Sequence, residues 1–140
     1  MERATQLLRD ILTLSEEFSA QLGRELAVNP TDLDAMTHLI SGGSLAPTEL
    51  AKRLELSTAA VTSVIDRLEA QGHASRTRHP TDRRSVIVVP SPASVGRAMA
   101  RLVPMITGID AVLDEFDEEQ RDVVTRYLER VVEVYRAQLS

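Results

Sequence analysis

Four arginines crowd one short stretch of this chain: between Gln71 and Val89 stand Arg76, Arg78, Arg83 and Arg84, against a single acid, Asp82. Guanidinium groups at that density suit phosphate binding, which responds to the local field at a contact surface and not to a protein's total charge. The total here is acidic. Sixteen Lys and Arg against 21 Asp and Glu give −5, so the stretch at +3 leaves −8 for the remainder. A basic patch on an acidic body fits site-specific nucleic-acid binding better than indiscriminate coating. Arg83 and Arg84 are placed to enter the minor groove of DNA, whose narrow A·T-rich stretches carry an enhanced negative potential. Asp82 weakens phosphate attraction unless it holds one guanidinium in a fixed orientation, a bidentate geometry natural to the two groups; otherwise it simply makes the turn.

Other chemistry finds little support. Cysteine is absent, which excludes a disulfide framework, a thiolate zinc site, a cysteine nucleophile and thiol redox switching. His38, His73 and His79 lack the i, i+4 spacing of a helical metal pair, so no metal ligands are assigned. There is no GxGxxG, Walker loop, GxSxG or HExxH, hence no catalytic residue and no cofactor to expect. The acids Asp110, Asp114, Glu115, Asp117, Glu118 and Glu119 read as a solvated face around a helix junction. The N-terminus is charged and no run of about 18 apolar residues occurs, so a cytoplasmic protein without a membrane partner is expected. With 140 residues, 43% apolar and only 3% aromatic, one domain with an aliphatic core is expected.

The arginine-rich stretch must be positioned by helices. Leu7, Leu8, Ile11, Leu14, Phe18 and Leu22 recur at helical spacing from Glu2 to about Leu26, one long amphipathic helix. Asn29-Pro30-Thr31-Asp32 is an N-cap followed by proline at the first helical position, and a second helix starts there and ends at Gly42-Gly43. Pro47 opens a third helix behind a poor cap, Ala46. Ser57 caps a fourth whose apolar positions are Val61, Val64, Ile65 and Leu68 and which closes at Gly72. Only Glu55 and Leu56 separate the third helix from that cap, the connection of a helix-turn-helix. Turn residues His79 to Asp82 and the β-branched run Ser85 to Val89 then make a hairpin, a wing. Helical periodicity returns from about Ala93, with a kink or break expected near Arg101 to Pro104. Asp117 and Gln120 form a near capping box for a last helix to about Gln138.

On the fourth helix, Ser57, Thr58, Ala59, Thr62, Ser63 and Arg67 are the candidates for major-groove insertion. Small residues allow close approach, hydroxyls reach bases or phosphates, and Ala or a Thr methyl can touch thymine methyl groups. Arg76, Asp82, Arg83 and Arg84 complete the candidate set from the wing.

The stretch Leu45 to Val89 resembles the winged helix-turn-helix of the MarR family, bacterial regulators named for multiple antibiotic resistance. The matching residues are Pro47 to Leu54, Ser57, Val61-Thr62, Ile65 to Glu69, Gly72, Arg76 and Pro80 to Ser85. The resemblance implies a homodimer whose interlocked termini set two wings astride one palindromic operator in double-stranded DNA. It also implies that Asp82 and Arg84 serve as wing anchor and minor-groove arginine, and that an effector would sit between the dimerisation helices and the DNA-binding lobe. Leu14, Phe18, Met36 and Met99 offer that site an aliphatic lining for a small apolar or phenolic molecule. Peroxide sensors of the family use an N-terminal cysteine, which this chain lacks. The segment Pro90 to Gly96 is richer in proline than the family pattern, which predicts an altered link after the wing.

The expected architecture is thus α+β, mostly α: one MarR-like domain over 1–140, with dimerisation helices at 1–28 and 93–140 and a winged helix-turn-helix lobe at 30–91. The expected function is a ligand-responsive repressor without enzymatic activity. Two alternatives compete: an interaction protein that keeps the fold but has lost operator binding and titrates a partner, and a metal-responsive winged-helix regulator. The small polar face of the fourth helix, with Asp82 and Arg84, speaks against the first; the histidine spacing speaks against the second.

Overall fold

The computed structural model describes residues 1–140: six helices and one two-stranded sheet, in the order α1 (Arg3–Leu26), α2 (Pro30–Gly42), α3 (Pro47–Leu54), α4 (Thr58–Ala70), β1 (Ala74–Arg78), β2 (Val86–Pro90), α5 (Pro92–Val112) and α6 (Glu118–Leu139). The chain divides into two compact units, Met1–Ala100 and Arg101–Ser140. The first contains α1, the α2–β2 lobe and the opening turns of α5.

Local signals set the helix boundaries in this first unit. The Asn29 side chain accepts the Asp32 N–H at 2.8 Å, with Pro30 at the first helical position, and Ser57 accepts the Ala60 N–H at 3.1 Å. Each satisfies a donor that a helix start otherwise leaves orphaned. Ala46, as expected, supplies no side-chain cap to α3. Gly72 follows α4 at φ +76°, where an L side chain would be strained. The core is aliphatic: Met36, Leu39, Leu50, Val61, Val64, Ile65, Leu68 and Val88 are all at or below 2% exposure.

The C-terminus of α1 has an unusual finish. Leu26 cannot pair four residues ahead, because Pro30 has no N–H. Instead the carbonyls of Glu25, Leu26 and Ala27 accept from Arg97 Nη2 (2.7 Å), His73 Nε2 (2.8 Å) and Gln71 Nε2 (2.8 Å). A cation such as Arg97 is also favoured at the negative end of a helix dipole. The buried His73 ring spends its other nitrogen, Nδ1, on Ser94 Oγ at 2.8 Å.

The wing is antiparallel, with Ala74 opposite Pro90, Arg76 opposite Val88 and Arg78 opposite Val86. On the far side of β2, Leu45 and Val88 exchange both backbone hydrogen bonds (3.1 and 2.7 Å). That bridge ties the wing to the loop before α3. The link after the wing is a single residue, Ser91, between the end of β2 and Pro92. The prolines lengthen nothing: Pro90 ends a strand and Pro92 starts a helix, both positions where a missing N–H costs little.

Of the kink or break expected near Pro104, α5 shows no break: it continues through that residue. The chain turns instead at a 3-10 segment, Leu113–Glu115, followed by a complete capping box in which Asp117 and Gln120 each accept the other's backbone N–H at 2.9 Å. Arg121 Nε closes this corner by donating to the carbonyls of Leu113 and Phe116. No helix is long and apolar enough to cross a membrane.

Candidate nucleic-acid interface

α4 carries the interface because its two faces differ in kind. Val61, Val64, Ile65 and Leu68 are buried, and the spacing that sends them inward leaves Ser57, Thr58, Ala59, Thr62 and Ser63 together on the exposed face. The approach to this helix is tight. Glu55 takes φ +55°, the left-handed region, and Leu56 N–H returns to the Ala51 carbonyl at 3.0 Å, so only Glu55 and Leu56 stand between α3 and the Ser57 cap of α4. Thr62 Oγ1 donates to the Thr58 carbonyl at 2.9 Å and Ser63 Oγ to that of Ala59 at 3.5 Å. Both hydroxyl protons rest on the helix, which leaves oxygen lone pairs facing outward.

Two of the predicted DNA contacts have other partners. Arg67 makes a fork to the buried Asp32: Nε to Oδ2 and Nη2 to Oδ1, both 2.9 Å. That hydrogen bonding holds its guanidinium above the ordinary arginine value, against an opposing effect of burial. Arg76 lies among acids of α4: Nη2 meets Asp66 Oδ1 at 2.8 Å, Nη1 pairs with Glu69, and the Arg76 N–H donates to Glu69 Oε2 at 3.0 Å. Burial acts to lower its pKa, but the hydrogen bonds to Asp66 and Glu69 win and raise it. Both arginines show their charge in the sequence while their carboxylates lie on other elements or other turns. The outward basic groups of the wing are Arg78, Arg83 and Arg84, all exposed.

Asp82 takes the second of its two readings, that of a turn maker. Its oxygens are taken by the Arg84 N–H (3.1 Å, Oδ1) and Ser85 Oγ (2.8 Å, Oδ2), so it pins the backbone of the wing tip instead of gripping a guanidinium. The Ser85 hydroxyl first, then the Arg84 N–H, hold the carboxyl below its ordinary value. A residue that sequence spacing did not single out shares the task. His79 Nδ1 accepts the N–H groups of Thr81 and Asp82, each at 3.2 Å, and His79 N–H donates to the Ser85 carbonyl at 2.9 Å. Its place among the turn residues His79 to Asp82 was the sequence signal for this use. Arg83 and Arg84 project from a tip closed from both ends.

The residues predicted for the effector lining differ in burial. Met36 is core at 2% exposure, while Leu14 stands 60% exposed and Met99 36%. A cavity of about 480 Å³ lies instead between α1 and the start of α2, with Ser19, Gly23, Val28, Pro30 and Leu33 in its wall and none of Leu14, Phe18, Met36 or Met99.

A helix pair with a two-residue turn, a small-faced second helix and a basic hairpin define a winged helix-turn-helix protein, the class that places its second helix in the major groove. The chain belongs to the MarR family. The family model described as "MarR family" matches residues 28–86, and the HTH-type transcriptional regulator YcgE of Bacillus subtilis is 30% identical over 137 residues, covering 98% of this chain and 89% of the relative. A MarR-like transcriptional regulator from Thermotoga maritima superposes with a TM-score of 0.71 at 27% identity, over 97% of this chain and 99% of its own. The fold is also that of Staphylococcus aureus MepR in a crystal structure of the MepR–DNA complex: TM-score 0.69, 15% identity, 94% of this chain and 98% of MepR. The protein is a DNA-binding transcriptional regulator of MarR type, not an enzyme.

Proposed function

We propose that the protein is a ligand-responsive repressor that binds a palindromic operator as a homodimer, with Ser57, Thr58, Ala59, Thr62 and Ser63 in the major groove and Arg83 and Arg84 in the flanking minor groove. The observation that carries this reading is the pairing of the small exposed face of α4 with a wing tip whose arginines have no acidic partner. Support for a second copy comes from apolar side chains left uncovered in each unit. On α1, Leu7, Ile11 and Leu14 are 44–60% exposed; in the second unit so are Ile106, Ile109, Leu128 and Tyr135, at 47–65%. Exposed apolar surface of this extent marks an interaction face. An effector acts only through its differential affinity for dimer states with different half-site spacing, and the cavity between α1 and α2 is the better candidate for its seat than the four residues inferred from the family.

Footprinting on the DNA flanking the protein's own gene, with sedimentation in parallel, tests this reading. Protection of an inverted repeat by a species near twice 15.4 kDa is expected. A micromolar monomer that protects the same repeat would sink it.

The wing gives a sharper result. Arg84→Ala is expected to weaken operator binding by about 1–3 kcal/mol per half-site and to lower the salt slope by about one for each phosphate the variant no longer neutralises. Asp82→Ala should weaken binding too, although it removes a negative charge, because the tip loses the two hydrogen bonds that this carboxylate accepts. Tighter binding by that variant would reject the anchoring role. Because the folded carboxyl lies below its unfolded value, its contribution to the tip is complete above about pH 4 and lost as pH falls through the lowered value, so binding at neutral pH sees it intact.

A further inference from the structure

Hydrophobic contact seats α4 but does not aim it, since burial of Val61, Val64, Ile65 and Leu68 is non-directional. Arg76 of β1 holds Asp66 and Glu69 of this helix, and two further polar contacts, on the opposite end of the helix from Ser57, tie it to the neighbouring helices. Arg67 reaches Asp32 in the first turn of α2, and Gln71, one helical turn further, reaches the Ala27 carbonyl at the end of α1. Residues four apart lie on one helix face, so two points on that face are fixed to the same α1–α2 corner. Two such points set both the tilt of a rod and its rotation about its own axis. The anchor is itself immobile: the Asp32 side chain is 2% exposed, and its backbone N–H is held by the Asn29 cap. An arginine–carboxylate fork admits one planar arrangement. Stability alone does not call for such a group, because a buried ion pair can often be replaced by well-packed apolar residues without loss.

We propose that Asp32 and Arg67 are positioning residues for operator recognition: their ion pair fixes the attitude of α4 so that the face from Ser57 to Ser63 meets the base edges. The proposal rests on the operator-binding reading above. In it Arg67 acts through Asp32 and touches no phosphate, and Asp32, at the start of α2, becomes a determinant of sequence discrimination.

The test uses the full-length protein as wild type, Asp32→Asn, Arg67→Met and the apolar double variant Asp32→Leu with Arg67→Met. Affinity is measured across a salt series for the fragment the wild type selects from random DNA and for an unrelated fragment of equal length, alongside thermal melting. Each variant is expected to lose about tenfold for the selected fragment, the size of one mismatched base pair, while affinity for the unrelated fragment and the salt slope stay unchanged. The double variant guards against a folding defect, with a melting temperature expected at or near that of the wild type. A folded double variant with wild-type affinity would show that the pair only stabilises the domain and would overturn the proposal. So would Arg67→Met weakening both fragments equally and reducing the slope by about one while Asp32→Asn does nothing, the pattern of a phosphate contact. If the wild type itself selects no sequence, the operator reading fails first, in an arm that involves neither residue, and the proposal goes with it.

Discussion

Inserting about 5 bp at the centre of the operator is expected to reduce affinity to the non-specific level, a loss of about 10³-fold or more. One recognition helix per subunit in a two-fold dimer must enter successive major grooves on one side of the duplex, about 10 bp apart, and a half-turn insertion carries one half-site to the opposite side. An insertion of a full turn, about 10 bp, should not restore binding, because a compact dimer cannot stretch by roughly 34 Å. Gel shifts with the three duplexes at fixed salt give the answer. Undiminished binding after the half-turn insertion would mean that each subunit reads DNA alone, and the dimeric mechanism would have to be abandoned.

Truncating Ile65 should have a large effect on the fold. The side chain is fully buried, on the inward face of α4. Ile65→Ala removes apolar packing and leaves a cavity that the surrounding core closes only in part, for an expected cost of about 2–5 kcal/mol. Against a usual total of about 5–15 kcal/mol, that is a large fraction of the stability. Thr62→Ala, on the exposed side of the same helix, should stay within about 0.5 kcal/mol. Urea denaturation at one protein concentration, required because assembly contributes to apparent stability, compares the two through their midpoints. Equal midpoints would mean that α4 is not seated by this face.

What could be read in the residues was whatever is decided locally. Ser57 and Gly72 bound α4 because a cap and a left-handed terminus involve only the next few residues, and Asn29-Pro30 starts α2 for the same reason. The helix-turn-helix and the wing followed from the short gap at Glu55-Leu56 and the β-branched run before Pro90. Partners distant in sequence left no trace. Arg67 and Arg76 looked like DNA ligands because their charge is visible in a sequence, whereas the pairing of Arg67 with Asp32, 35 residues away, is a property of packing. The bridge from Leu45 to Val88 was hidden likewise, since a one-residue strand has no periodicity. Pro104 suggested a break because a proline's cost is known for an isolated helix, while the 21-residue α5 carries it and stops at the Leu113–Glu115 turn.

The wing tip is closed by bonds that all fall within His79 to Ser85, and none of them reaches the body of the protein. The α1–α2 corner is the reverse case, stitched to α4, to the turn between α4 and β1, and to α5 at once. Cooperativity therefore differs between them: to release the corner several elements must let go together, whereas the tip can melt and re-form alone, at the low end of the ladder of local openings. On the operator-binding reading proposed above, the seven residues meant for the minor groove can therefore open without disturbing the helix meant for the major groove.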